Sequence, residues 1–318
     1  MRNMTGCLPL VRTLCLDHCF ESSFGFDSDH AEYLLRAILP IAPNVQQLSL
    51  AYNSLLTGSC FDVLPQSVVT LNLDMSIRLQ SASLVTNLAR LEHLVSLSLD
   101  GCYKLSTDSI MAVGNGLKNL DLSYCDSMGA LGLVSFFESH PDIASLHLSH
   151  MKQMCFDVCL ALQSLNDLRE LSLAHYYCAE GQAIVDSLVH EHDLSAAMQS
   201  VHLINSITRL DLNHNEFITD PALLLVIDHC DQLERLNLAF CPFVSVNALA
   251  RLRDLIHLTH LNLSGSDQVD IELLRSIGSS DTKLKFVDVT QCAVLSETSV
   301  RQMFETCWPN KKTMFRVF

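Results

Sequence analysis

The stretch LSLDGCYKLSTDSI, residues 97–110, decides how the chain folds. Leu97 and Leu99 alternate with Ser98 and Asp100, the two-residue period of a strand with one buried face. Cys102 follows three residues after Leu99, where the chain leaves the strand. Leu105-Ser106-Thr107-Asp108 then reads as a helix start, because Ser, Thr and Asp oxygens accept from the first free helical N–H groups. The same pattern recurs from Leu14 to Val289 in eleven units, with first leucines at Leu14, Leu48, Leu71, Leu97, Leu120, Leu146, Leu171, Leu210, Leu236 and Leu261 and with Val287 in the last. A degenerate twelfth unit is expected at Phe315-x-Val317. Eight of the ten spacings lie between 23 and 26 residues, the range of a strand-turn-helix solenoid repeat. The residue three before each pair, from Val11 and Val45 to Leu258 and Leu284, is apolar in all eleven units, which tests the register independently.

The predicted fold class is therefore an α/β solenoid. Parallel strands stack about 4.8 Å apart whereas packed helices need about 8–10 Å. The helices must therefore lie outside, giving a right-handed horseshoe with the parallel sheet on its concave face and helices on its convex face. We expect one repeat domain over residues 1–318, with an N-terminal flank at 1–13, an insertion-bearing repeat at 177–206 and a C-terminal repeat or cap at 293–318. The 39-residue spacing between Leu171 and Leu210 carries about thirteen extra residues around AIVDSLVHEHDLSAAMQS, 183–200. The first unit, with SSFGFDSDH at 22–30, is expected to protect the end of the stack.

Composition narrows the functions. With 49% hydrophobic residues the chain has enough apolar surface to fold, and 17% charged residues is low for a soluble protein. Twenty Lys and Arg against 35 Asp and Glu give a net charge of −15, which disfavours nucleic acid and anionic membranes. No apolar run approaches a membrane span, and the N-terminus lacks a signal peptide's apolar stretch. Thirteen cysteines, an odd number spread along the chain, point to buried thiols in a reducing compartment. We therefore expect a cytoplasmic or nuclear protein that is not secreted.

The repeat unit resembles the cysteine-containing leucine-rich repeats of F-box/LRR proteins and of the antagonist-of-mitotic-exit type, with a ribonuclease-inhibitor-like horseshoe. The best matches are LSLDGCYKLSTDSI, LDLNHNEFITDPAL (210–223), LERLNLAFCPFVSVNAL (233–249) and VDVTQCAVLSETSV (287–300), with Cys230 and Cys307 at the helix-end cysteine position. The resemblance implies a non-catalytic recognition module, such as a ubiquitin-ligase substrate receptor, or a scaffold subunit. Such repeats normally follow an F-box of about forty residues, and none is expected in the residues before Leu14. The alternative is a structural subunit of a larger ciliary or organellar assembly.

No constellation points to chemistry. Cys15-x3-Cys19 and Cys155-x3-Cys159 lack a second pair at ligand spacing, and Cys19 is expected in the core. His190-Glu191-His192 is not a His-Glu-x-x-His site, Gly114-Asn115-Gly116 ends a helix rather than opening one, and there is no Gly-x-Ser-x-Gly elbow. We expect no metal, no cofactor and no catalytic residue.

The binding surface is expected on the concave face and the strand-exit edge of repeats five to nine, about Tyr124 to Phe240. Outward strand positions Asp17, Asp74, Asp100, Asp121, Glu170, Asp211 and Asp288 make the face acidic and suit a basic or amphipathic protein segment. Arg209 and Arg235 interrupt it and could grip a carboxylate or phosphoryl group, unless they pair with Asp211 and Glu234. The fifth position of each unit holds His18, Tyr52, Met75, Gly101, Tyr124, His150, His175, His214, Phe240, Gly265 and Gln291, ring-bearing in seven of eleven, with Tyr176 beside it. These rings read equally as an interface row or as stacking between repeats.

Overall fold

Short strands form because each Leu-x-Leu buries two aliphatics on one side and leaves its alternating residue to solvent. The computed structural model describes residues 10–21, 25, 27–152, 158, 161–175, 206–215, 218–278, 283–307 and 314–317. They fall into two compact units, Met1–Gln153 and Met154–Phe318.

The first unit carries six parallel strands, β1 (Thr13–Cys15), β2 (Gln47–Ser49), β3 (Thr70–Asn72), β4 (Ser96–Ser98), β5 (Asn119–Asp121) and β6 (Ser145–His147). Their registers put Leu14, Leu48, Leu71, Leu97, Leu120 and Leu146 in one row, which is buried from Leu48 onward. Returning segments form α1 (Ser28–Ile38), α2 (Ser81–Leu88), α3 (Asp108–Met111) and α4 (Ala130–Ser139), with 3-10 turns at Leu39–Ile41 and Phe61–Val63. Helix α1 starts where the Asp27 side chain accepts from the His30 N–H, and it buries Ala31, Glu32 and Leu35. Phe61, Phe136 and Phe137 are the largest side chains fully inside.

The second unit repeats the plan with β7 (Glu170–Ser172), β8 (Arg209–Asp211), β9 (Arg235–Asn237), β10 (His260–Asn262), β11 (Phe286–Asp288) and β12 (Met314–Arg316). Leu171, Leu210, Leu236, Leu261, Val287 and Phe315 share its inward row, so the degenerate twelfth unit does pair, through Phe315. The outer layer holds α5 (Asp220–His229), α6 (Val246–Ala250), α7 (Ile271–Gly278) and α8 (Glu297–Cys307), with 3-10 turns at Leu162–Ser164 and Arg251–Asp254.

Two expectations change. The polar residues before α3 and α5 bond sideways to the next repeat instead of capping their own helix. Thr107 Oγ1 accepts from Gly129 N–H at 2.9 Å, and Asp220 accepts from Ser245 N–H at 2.7 Å, while neither Thr107 nor Thr219 makes a side-chain cap. Cys19 is exposed, together with Cys15, because among the described residues β1 has a neighbour strand on one side only.

Candidate functional site

Most of the described units end their strand in a turn that is tied to the preceding repeat. Asn53 donates to the carbonyls of Leu16 and Leu50, both at 2.9 Å, and Asn215 does the same to Leu173 and Leu212. The thiols of Cys102, Cys125, Cys241 and Cys292 each donate to the earlier repeat's carbonyl, on Leu73, Leu99, Leu212 and Leu263, at 3.2–3.3 Å. Burial pushes Cys102 and Cys230 up to about 12 and Cys241 to about 11. These thiols stay protonated, which suits a hydrogen-bond donor and not a nucleophile.

One residue before that position, all eleven fifth-position residues are left-handed, with φ between 54° and 73°. Gly101 and Gly265 take this conformation at no steric cost; the other nine do not. Two contacts compensate. At most of them the N–H donates to the next repeat, as Tyr124 does to Ser149 at 2.9 Å and Phe240 to Ser264 at 2.8 Å. Their rings also stack: His18 on Tyr52 at 4.6 Å and Tyr124 on His150 at 3.9 Å in the first unit, and His175 on His214 at 4.2 Å and His214 on Phe240 at 4.3 Å in the second. The glycines mark where the preceding side chain lies across the column. A Cβ on Gly101 would enter the Met75 thioether, and one on Gly265 the Phe240 ring. Stacking is thus realised at these rings, yet Tyr52 and Tyr124 each remain 46% exposed.

The open face of the first unit is acidic. Asp74 accepts from Ser98 Oγ and from the Asp100 N–H, and Asp121 accepts from the Ser123 N–H. Oδ1 of Asp100 is buried without a hydrogen bond among the described residues. Burial, then the charges of Asp121 and Asp74, push Asp100 up to about 6, and His147 acts in the opposite direction. His147, which the sequence reading passed over, lies 3.6 Å from Asp121; its signal was its place in the same strand column.

The second unit differs. Arg209 pairs with Glu170 at 3.4 Å, a neighbour in register, and not with Asp211 as the sequence suggested. Asp211 turns to the Asn213 N–H at 3.0 Å. Arg209 and Arg235 are direct register partners on β8 and β9. Of the expected site residues, Tyr52, Asp100, Asp121, Tyr124 and His150 therefore lie on the first unit, and His175, Arg209, Asp211, His214, Arg235 and Phe240 on the second. Tyr176, Cys155, Cys159, His190 and the 183–200 insertion lie outside the described residues.

Among the described residues no group of three or more His, Cys, Asp or Glu is placed to hold a metal ion. No described helix is long and apolar enough to cross a membrane.

Twelve short parallel strands, an inward leucine row and a Cys/Asn turn column define a leucine-rich repeat fold. The chain is similar to Rad7, solved with Elc1 from yeast, at TM-score 0.58 and 15% identity, covering 91% of this chain and 77% of that one. It is also similar to the leucine-rich repeat protein LegL7 from Legionella pneumophila (TM-score 0.51, 19% identity, 84% and 91% covered) and to an internalin from Listeria monocytogenes (0.52, 14%, 88% and 82%). No sequence-family profile and no curated protein matches the chain.

Proposed function

We propose that the chain is a non-catalytic protein-recognition module that binds through the open faces of its sheets and their ring rows. The observation that carries this reading is the left-handed row. Its rings are held rigidly by stacking and by backbone bonds, so they lose little freedom on binding, and Tyr52 and Tyr124 still offer 46% of their surface. The acidic face of the first unit suits a basic or amphipathic protein segment. Similarity to Rad7, which was solved with a partner protein, supports a repeat array of this kind serving as a receptor. Within that class we favour substrate-recognition repeats like those of F-box/LRR ubiquitin-ligase receptors, acting in ubiquitin-dependent degradation in the cytoplasm. Stacking between rings stabilises the array with no partner at all, and this favours a second reading, a structural scaffold subunit of a larger assembly.

Affinity purification with quantitative mass spectrometry tests the proposal, comparing the wild type with Tyr124→Ser/His150→Ser and with His214→Ser/Phe240→Ser. Specific partners should be lost from one or both variants while circular dichroism shows the fold intact. Ligase adaptors among them support the receptor. A stoichiometric complex that survives high salt supports the scaffold. Unchanged partners in both variants would refute the ring rows as the surface.

A further inference from the structure

The strand starts of the second unit bring basic side chains onto neighbouring strands. Arg209, Arg235 and His260 are successive register partners on β8, β9 and β10, and Phe286 follows on β11. Counting the residue just before each of β7 to β11, these positions hold Arg169, Arg209, Arg235 and Lys285 against Glu170 and Glu234, in a chain of net charge −15. The same positions of the first unit hold only Arg12 and Lys118, which stand on β1 and β5 and so are not on neighbouring strands, and Lys118 pairs with Asp142. Like charges on neighbouring strands repel. Glu170 meets Arg209 from one side at 3.4 Å, whereas Arg235 and Lys285, both exposed, have no ion pair among the described residues. His260 is held below its ordinary pKa by burial and then by Arg235, Lys285 and Arg209, with Glu234 opposing. Arg209, Arg235 and Lys285 stand at or just before the starts of β8, β9 and β11, near enough to act on His260.

We propose that this column docks an extended acidic segment of a partner protein. The inference rests on the protein-recognition reading and adds the partner's chemistry. Arg209 and Arg235, about one strand spacing of 4.8 Å apart, converge on one carboxylate. Lys285 stands two strand spacings beyond Arg235, about 9.6 Å, which a polyproline II segment at about 3.1 Å per residue covers in three residues with both end side chains on one face. The recognised pattern is thus two carboxylates three residues apart, with the intervening chain lying over the rings of His260 and Phe286, whose centroids lie 6.1 Å apart.

Fluorescence anisotropy on the full chain tests this, using labelled ten-residue Gly/Ser peptides in which two positions three residues apart are both Glu or both Gln. The Glu peptide should bind, and its affinity should fall as salt rises from about 0.05 to about 0.3 M. Arg235→Glu should weaken it by about tenfold or more. Lys104→Glu, the same charge change on an exposed residue of the first unit, should shift it by less than about twofold. Arg235→Ala serves if the reversal fails to fold, with a loss of about fivefold expected. Absence of binding, equal binding of the Gln peptide, indifference to both Arg235 variants, or tighter binding of a ten-nucleotide RNA would each overturn the inference. A chain that loses protein partners with its ring variants yet ignores the Glu peptide keeps the recognition reading and ends this one. A chain that binds the peptide while the ring variants keep every partner does the reverse.

Discussion

A non-glycine residue in the left-handed region costs about 1–2 kcal/mol, yet this chain places nine there, one per repeat apart from Gly101 and Gly265. At most of them the cost is offset locally, by a hydrogen bond to the next repeat and, at the ring pairs, by a stack worth about 0.5–1.5 kcal/mol. The two glycines then differ in what they shelter. Gly265→Ala should destabilise by about 2 kcal/mol, because the stacked Phe240 ring cannot step aside without breaking its contact with His214. Gly101→Ala should cost less, about 1 kcal/mol, since Met75 has flexible bonds to yield with. Paired urea titrations would check the order, and equal losses would contradict it. At this scale the column was visible in the sequence but its conformation was not. Two glycines among rings and histidines were the available signal, since glycine and histidine are both enriched at positive φ.

Helix α1 shows how an element is held by one residue that periodicity does not reveal. Glu32 lies inside, 6% exposed. Its carboxylate accepts from the N–H groups of Thr57, Gly58 and Cys60 and from the Thr57 hydroxyl, at 2.7–3.0 Å. It thereby clamps the loop of the following repeat onto α1. Burial raises its pKa, but the bonds from Cys60 and Thr57 outweigh burial and hold the carboxyl below its ordinary value. A depressed carboxylate stabilises the fold above its unfolded pKa of about 4.3, and that contribution disappears as pH falls through the folded value. Glu32→Ala should cost about 3 kcal/mol at pH 7, by leaving buried donors unpaired, and Glu32→Gln somewhat less. The gap between wild type and Glu32→Gln should narrow below about pH 4 in urea titrations; a constant gap would show that the charge is not involved. Sequence reading places acids on solvent, and a buried one is recognisable only once the facing loop is known. Two of the expected helix starts failed for a related reason, while Ser296 does accept from the Ser299 N–H at the start of α8. Thr107 and Asp220 have the right chemistry for caps, but the neighbouring repeat offers them closer partners.

At the scale of the whole chain, the leucine row, the repeat length and the twelve strands were legible, because each depends on a period that the chain repeats. The binding face was legible in part. Column chemistry named the rings and the two arginines, but the sum over neighbouring strands decides a local charge, and linear reading missed Lys285 and His260 beside Arg235. Burial also separates the described cysteines into two groups. Cys15 and Cys19 should react within minutes with a thiol reagent under native conditions, whereas Cys60, Cys102, Cys125, Cys230, Cys241 and Cys292 should react only on unfolding, as peptide mass spectrometry would show. Rapid labelling of Cys125 would contradict the packing described.

The turn bonds reach only from one repeat to its immediate neighbour: a thiol or amide on one turn, a carbonyl on the turn before. Interior units are therefore interchangeable parts. Duplicating or excising one of about 25 residues inside either array would restore every turn bond across the new junction, because the carbonyl it needs is present in any copy. Such a chain can evolve a longer or shorter grip by whole-segment gain and loss, leaving the rest of its interior untouched.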